Sequence, residues 1–191
     1  MYQKYFKRLF DIIFSLSLII ILFPIMILVF FLVWFTIGFP IFMQKRPGLD
    51  NKIFILYKFK TLYNSSNFSE KKRQNKVGNF LRKTGLDELP QLFNVLRNNM
   101  SFVGPRPLLL EYLDKYSNYE KKRHIIKPGI TGLAQVNPEP SGIKSWSKSI
   151  KLDIYYAKNV SFILDMQILF KTVKLILYRK KQYNDFKKFY E

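Results

Sequence analysis

The chain has 191 residues, enough for one domain with an appendage, and its 32 Lys and Arg against 13 Asp and Glu give a formal net charge of +19. That charge asks for anionic partners such as nucleic acid, anionic lipid or phosphorylated substrates, while 48% hydrophobic content with 19 Phe and 12 Tyr is heavy for a free nucleic-acid-binding domain and suits a membrane surface. The absence of cysteine excludes disulfides, thiolate metal sites and cysteine nucleophiles, and a single histidine, His124, gives no basis for a histidine zinc centre.

From Ile12 to Gln44 there is no Asp, Glu, Lys or Arg, a run long enough to cross a bilayer as a helix. It is too long for the apolar part of a secretory signal, and no small-residue cleavage site follows it. Pro24 near its middle lacks an N–H and breaks or kinks a helix, which would divide the run into residues 12–23 and 25–43. Lys4, Lys7 and Arg8 precede the run and Lys45, Arg46, Lys52, Lys58 and Lys60 follow it; positive flanks prefer the cytoplasm, so both ends want one side. A helix that dips into the membrane, bends at Pro24 and returns satisfies this, and we read it as re-entrant rather than spanning.

Beyond Lys45 the chain reads as a mostly helical domain with a little strand. Residues 52–62, KIFILYKFKTL, are rich in Ile, Phe and Tyr and suit a strand or hairpin arm; residues 64–70, NSSNFSE, suit an exposed loop. Leu86, Leu89, Phe93 and Leu96 recur at helical spacing, which predicts an amphipathic helix with Asp87 and Glu88 in its first turn. Ser117 and Glu120 form a capping box opening a helix through His124. Ile163, Met166, Phe170, Val173 and Leu177 make an apolar stripe among Lys171, Lys174, Arg179, Lys180 and Lys181. That pattern fits a helix lying on an anionic membrane face and equally a core helix with a solvated basic side.

Asp87-Glu88 stands out because acids are scarce here and this pair lies among Arg82, Lys83 and Arg97. Ionised at a helix start, such a pair could hold Mg²⁺ or attack phosphorus, although acids also gather in first turns for electrostatic reasons alone. Gly104-Pro105-Arg106-Pro107 fixes Arg106 between two prolines, where a guanidinium can grip phosphate with little ordering cost; a rigid turn with a solvated Arg is the plainer reading. Lys127-Pro128-Gly129-Ile130-Thr131-Gly132 is a second rigid loop whose glycines would let backbone approach an anion, or an ordinary turn. His124 is a proton carrier or a structural residue. Trp146, Tyr155 and Tyr156 could stack on a sugar or base, and core packing is the plainer reading for each.

In order along the chain, KRLFD at 7–11, the apolar segment with Pro24, KRPGLDNKIFILYKFKTL at 45–62, LRKTGLDELPQLFNVLRNNMSFVGPRP at 81–107, RHIIKPGITGLAQVN at 123–137 and LDIYYAKNVSFILD at 152–165 resemble the monotopic phosphoglycosyl transferases. These are also called the bacterial sugar transferase family, and the likeness is to its small, minimal-domain members, which initiate glycan assembly on polyprenyl phosphate. The resemblance implies an α+β, mostly helical fold: a re-entrant membrane helix hairpin over residues 1–44, a compact cytoplasmic catalytic domain with amphipathic interfacial helices over 45–181, and a tail over 182–191. It implies transfer of a phosphosugar from a UDP-sugar to polyprenyl (undecaprenyl) phosphate at the cytoplasmic leaflet of the bacterial inner membrane, with downstream glycosyltransferases as further partners and the oligomeric state open. By the same resemblance Asp87 is the nucleophile and a ligand of Mg²⁺, Glu88 is its dyad partner, Arg82 and Arg106 bind phosphates, and Lys58 and Lys60 meet the carrier phosphate; Lys127 and His124 complete the expected substrate- and phosphate-binding set. Phe23 stands where many members have Ser before the bend proline, Gly85 where a Ser often caps the Asp87 helix, Lys127 where Arg is usual, and Pro138-Glu139-Pro140 in place of a Gly-Arg-Asn-type loop that bears on sugar specificity. A reading of a different class, a membrane-tethered basic nucleic-acid-binding module, rests on the charge and aromatic content and has no readable motif.

Overall fold

A computed structural model describes residues 2–63, 73–137 and 146–188, with side chains for these except Lys4 and 177–188. The loop at 64–70 and the Pro138-Glu139-Pro140 stretch lie outside the described residues. One long helix, α1 (Lys7–Ile37), leads into a hairpin of β1 (Ile41–Pro47) and β2 (Ile53–Phe59), paired antiparallel from Ile41↔Phe59 to Pro47↔Ile53. Then come α2 (Lys76–Thr84), α3 (Gln91–Leu96), β3 (Ser101–Val103), β4 (Gly129–Thr131), α4 (Leu133–Val136), α5 (Trp146–Lys158) and α6 (Phe162–Lys188). Strands β3 and β4 pair in parallel.

The expected division at Pro24 is replaced by continuous helix: α1 passes through Pro24 and ends at Ile37, and the last apolar residues, 41–44, belong to β1. An interior proline removes one helical hydrogen bond, and the strongly apolar residues around it hold the helix on either side. A single stripe of α1 is buried, comprising Lys7, Asp11, Ser15, Met26, Val29, Val33 and Ile37. Most of the rest, including Ile20, Ile21, Leu28 and Phe35, is exposed, with Leu18, Ile19 and Phe30 half-buried beside the stripe. A helix apolar all round and uncovered on most of its surface has the length and composition to cross a bilayer.

Both halves of α1 rest on the same domain, by different means. The first half uses polar ties: Arg8 donates to the carbonyls of Val95 and Leu96 at the end of α3 (2.7 and 2.9 Å), and Asp11 accepts from the Ser101 hydroxyl and the Phe102 N–H (both 3.0 Å). The second half uses packing, with Met26, Val29, Val33 and Ile37 against Phe59 and Leu81 and with Leu86 and Leu89 alongside. The main core lies between the hairpin, α3, β3 and α6, around Leu56, Val95, Met100, Tyr156 and Ile168.

The hairpin arm expected over 52–62 is β2, and the capping box is formed: the Ser117 N–H and hydroxyl donate to Glu120 (2.9 and 2.8 Å) at the start of a 3₁₀ turn over Glu120–His124. In α6 the core face is Asp165 and Ile168, while Ile163, Phe170 and Val173 of the expected apolar stripe are exposed, as is Ile176. At Ile163, Phe170 and Val173 the stripe is therefore an uncovered apolar face, which fits a membrane surface. The helix continues to Lys188, through the expected start of the tail.

Candidate active site

The acidic pair does not open a long helix. Gly85, in the left-handed region at φ 76°, ends α2, and Asp87 and Glu88 occupy a separate 3₁₀ turn over Leu86–Glu88 before α3 begins beyond Pro90. Gly85 thus serves as the stop of α2, a role a residue with a Cβ fills at a cost. Leu86 and Leu89 pack into the cluster that holds Phe59, Leu81 and the second half of α1, and the turn rests on α2 and β2, which fix where the carboxylates stand.

The two acids have unequal surroundings. Glu88 accepts from Lys58 Nζ (2.8 Å) and Arg106 Nη2 (3.1 Å) on the same oxygen. Burial works to raise its carboxyl, but Arg106 and Lys58 outweigh it and hold Glu88 below its ordinary value. Asp87 is buried at 8% exposure, and no side-chain hydrogen bond or ion pair holds its carboxylate among the described residues. Burial, and then the charge of Glu88, push Asp87 above the usual carboxylate range, with Lys58 and Arg106 opposing. A carboxylate that is desolvated, held by no other side chain, met by its own backbone N–H and attracted by nearby cations is suited to bonding an electrophile that brings negative charge.

The loop carrying Arg106 is braced from behind. The Arg106 carbonyl accepts from Arg123 Nη2 (2.7 Å), and Arg123, itself 1% exposed, pairs with Asp153 (2.6 Å) and donates to the Tyr116 hydroxyl (3.0 Å). The Gly129 N–H donates to the Pro105 carbonyl (3.0 Å) and the Gly104 N–H to the Thr131 carbonyl (2.9 Å). A Cβ on Gly129 would lie 2.1 Å from the Gly104 nitrogen, and one on Gly132 would lie 2.2 Å from the Gly104 oxygen. The glycines expected to admit an anion instead admit this neighbouring loop, and they hold Arg106 in place.

A protein-family model described as "Bacterial sugar transferase" matches residues 2–179. The chain belongs to the bacterial sugar transferase family. It is 43% identical over 177 residues to the uncharacterized sugar transferase EpsL of Bacillus subtilis (strain 168), covering 90% of this chain and 87% of that protein. It is 41% identical over 146 residues to the UDP-glucose:undecaprenyl-phosphate glucose-1-phosphate transferase of Klebsiella pneumoniae, covering 70% of this chain and 31% of that protein. Against the undecaprenyl-phosphate galactose phosphotransferase of Salmonella typhimurium it is 36% identical over 202 residues, 94% of this chain and 42% of that protein. The chain thus spans most of EpsL and well under half of the two named transferases. Family membership leaves the nucleic-acid-binding module without support.

In this sugar transferase the structure gathers Asp87, Glu88, Lys58 and Arg106, and it places His124 with Arg106 along a small cleft. Lys60 is buried after the end of β2, where burial and Arg73 lower its ammonium pKa. Arg82 donates to Asn79 on its own helix (3.0 Å). Lys127 donates to Asn98, and burial, with Arg8 as the nearest charge effect, depresses it at the first half of α1. His124 shares its Nδ1 with Asn51 and packs edge-on against Tyr116, and burial with Arg123 lowers its pKa to about 4, so it is neutral near pH 7 and ill-suited to carry a proton. Tyr156 is core, donating to the Val103 carbonyl (3.1 Å); Trp146 stacks on Tyr116, and Tyr155 is exposed.

Sequence reasoning missed Arg123, Asp153 and Tyr116 behind Arg106, and Arg46 beside it. Arg123 is one of 32 Lys and Arg and carries no local mark. The scarcity of acids was the usable signal: in so basic a chain, Asp153 and Asp165 each invite the question of which cation they hold.

Proposed function

We propose that this protein transfers a phosphosugar from a UDP-sugar to undecaprenyl phosphate, releasing UMP, through a phosphosugar carried on Asp87. The observation that carries the reading is the unequal acid pair, with Glu88 engaged by Lys58 and Arg106 and Asp87 left buried and unpartnered. The relatives named as UDP-glucose or UDP-N-acetylgalactosamine transferases onto undecaprenyl phosphate support the substrate classes.

In the first half-reaction an Asp87 carboxylate oxygen bonds the β-phosphorus while the bond from that phosphorus to the bridging oxygen breaks. UMP leaves with the electron pair. In the second, an oxygen of the carrier phosphate bonds the same phosphorus and the Asp87–phosphorus bond breaks, giving the polyprenyl diphosphate sugar and a free carboxylate. Arg106 and Lys58 offset the charge that gathers on the phosphoryl oxygens. Glu88 holds those two cations beside Asp87. Asp87 and Glu88 are hard oxygen donors of the kind Mg²⁺ takes, and no cluster of three or more His, Cys, Asp or Glu that could hold a metal occurs among the described residues. The fit is therefore to an ion completed by substrate phosphates, with Asp87 as its protein ligand. Bound there, Mg²⁺ would further neutralise the diphosphate.

The same reading makes the protein monotopic, with the continuous α1 kinked at Pro24 so that it enters and leaves on one side, and the domain on the cytoplasmic leaflet. Contact of both halves of α1 with one domain, together with cations flanking both ends, supports it. Cysteines introduced near residues 3 and 50 should label from the same side of the membrane; labelling from opposite sides would establish a spanning helix. A UMP-release screen over UDP-sugars with undecaprenyl phosphate and Mg²⁺ tests the reaction and identifies the sugar. No UMP from any member of the panel would overturn it.

A further inference from the structure

Beside the acid pair lies an open cleft lined by Arg46, Leu56, Lys58, Gln91, Arg106 and Pro107. Its floor is the inward face of the hairpin: Arg46 opposes Phe54, Gln44 opposes Leu56 and Phe42 opposes Lys58, so alternation puts Arg46 and Lys58 on one face. Three cations thus share the cleft, and the carboxylate that contacts any of them is Glu88, which takes Lys58 and Arg106.

Arg46 is left over. Among the described residues no carboxylate pairs with it: Nη2 donates to the Gln44 side chain (2.5 Å), Nη1 makes a long bond to the Pro107 carbonyl (3.3 Å) and Nε has no partner. A half-buried guanidinium with donors in hand, set close enough to Arg106 to be repelled by it, is destabilising unless an anion joins the two. Its position indicates which anion. Lys58 stands opposite Phe42, near the exit of α1, whereas Arg46 lies four residues further along β1, about 14 Å of strand farther from the end of the membrane helix. That end of the cleft lies away from the end of α1, which suits the water-borne half of the donor.

We infer that Arg46 binds the phosphate of the nucleoside monophosphate half of the donor and holds it as it leaves. This rests on the proposed reaction and adds to it a residue for the leaving group: as the β-phosphorus bonds to Asp87, the bridging oxygen departs with its electron pair on the α-phosphate, between Arg46 and Arg106.

The test uses the full chain in detergent, with UMP and uridine as probes, in the wild type, Arg46→Gln and Arg46→Lys. UMP affinity is expected to fall by about tenfold or more in Arg46→Gln and by about threefold in Arg46→Lys, which keeps the charge and loses the planar fork. Uridine, lacking the phosphate, should bind all three alike. The carrier oxygen enters opposite the Asp87–phosphorus bond, where the bridging oxygen left, so transfer of phosphosugar from preformed adduct to undecaprenyl phosphate should fall no further than UMP release does. Unchanged UMP affinity in both variants, equal losses for UMP and uridine, or a defect confined to the carrier step would each overturn the inference. Should Arg46→Gln not fold, Arg46→Lys alone decides, by the ratio of its UMP loss to its uridine loss. Wild-type UMP release is scored separately: UMP binding that depends on Arg46 in a protein that releases no UMP sinks the reaction and leaves the site.

Discussion

Carboxylates are buried at several places in this protein, and they differ in company rather than in depth. At the junction of α1 and α6, Asp165 is 2% exposed and accepts from Lys7 Nζ (2.6 Å), the Tyr2 hydroxyl (2.7 Å) and the Tyr156 hydroxyl. Behind the Arg106 loop, Asp153 is 4% exposed and accepts from Arg123 Nε and Nη2 (3.1 and 2.6 Å). In the turn after α2, Asp87 is almost as buried and has no such partner. Burial raises the carboxyls of Asp153 and Asp87 alike, so a raised pKa does not separate structural acids from reactive ones. Donors that already occupy the oxygens do.

The largest expected effect lies at the unpartnered acid. Asp87→Asn should lower the single-turnover rate of UMP release by at least about 10³-fold, as loss of a nucleophile does, while membrane fractionation and circular dichroism stay as in the wild type. At the partnered acid the effect moves to stability: Asp165→Ala leaves the Lys7 ammonium buried and should cost about 3 kcal/mol in denaturant unfolding. An Asp165→Ala protein as stable as wild type would erase the contrast.

How far the sequence went follows the same division between local and distant causes. The hairpin arm and the capping box at Ser117 and Glu120 were legible because residue type and near neighbours decide them, whereas Lys58 and Arg106, 30 and 18 residues from Glu88, were placed with the acid pair only through the family likeness. The helix expected from Leu86 to Leu96 became a turn and a short helix, because the left-handed Gly85 and Pro90 punctuate a spacing that looks continuous. Lys60 and Lys127 looked like site residues by sequence context and fold elsewhere. The Arg123–Asp153 and Lys7–Asp165 pairs join positions 30 and 158 residues apart, where no local pattern can couple a particular acid to a particular base.

Glu88 lies between the two extremes. Glu88→Gln keeps an acceptor for Lys58 and Arg106 but drops the charge, and should slow UMP release by about 10- to 100-fold, on the scale of one or two charged hydrogen bonds. The smallest effect is thermodynamic. A carboxyl whose pKa is raised by folding is penalised when ionised, and the penalty is absent below its unfolded value and grows as pH climbs through its folded value. Asp87→Asn removes it, so the variant should melt about 2 °C above wild type at pH 7, with the gain vanishing in acid. The wild-type donor half-reaction should correspondingly lose rate, as pH falls, at a value above the ordinary aspartate range of about 4.

Mass spectrometry of protein incubated with the accepted UDP-sugar and Mg²⁺ and no carrier tests the central claim most directly. The account predicts a phosphosugar mass on the peptide containing Asp87, discharged when undecaprenyl phosphate is added. Active protein that carries no such mass, or carries it on another residue, would contradict it.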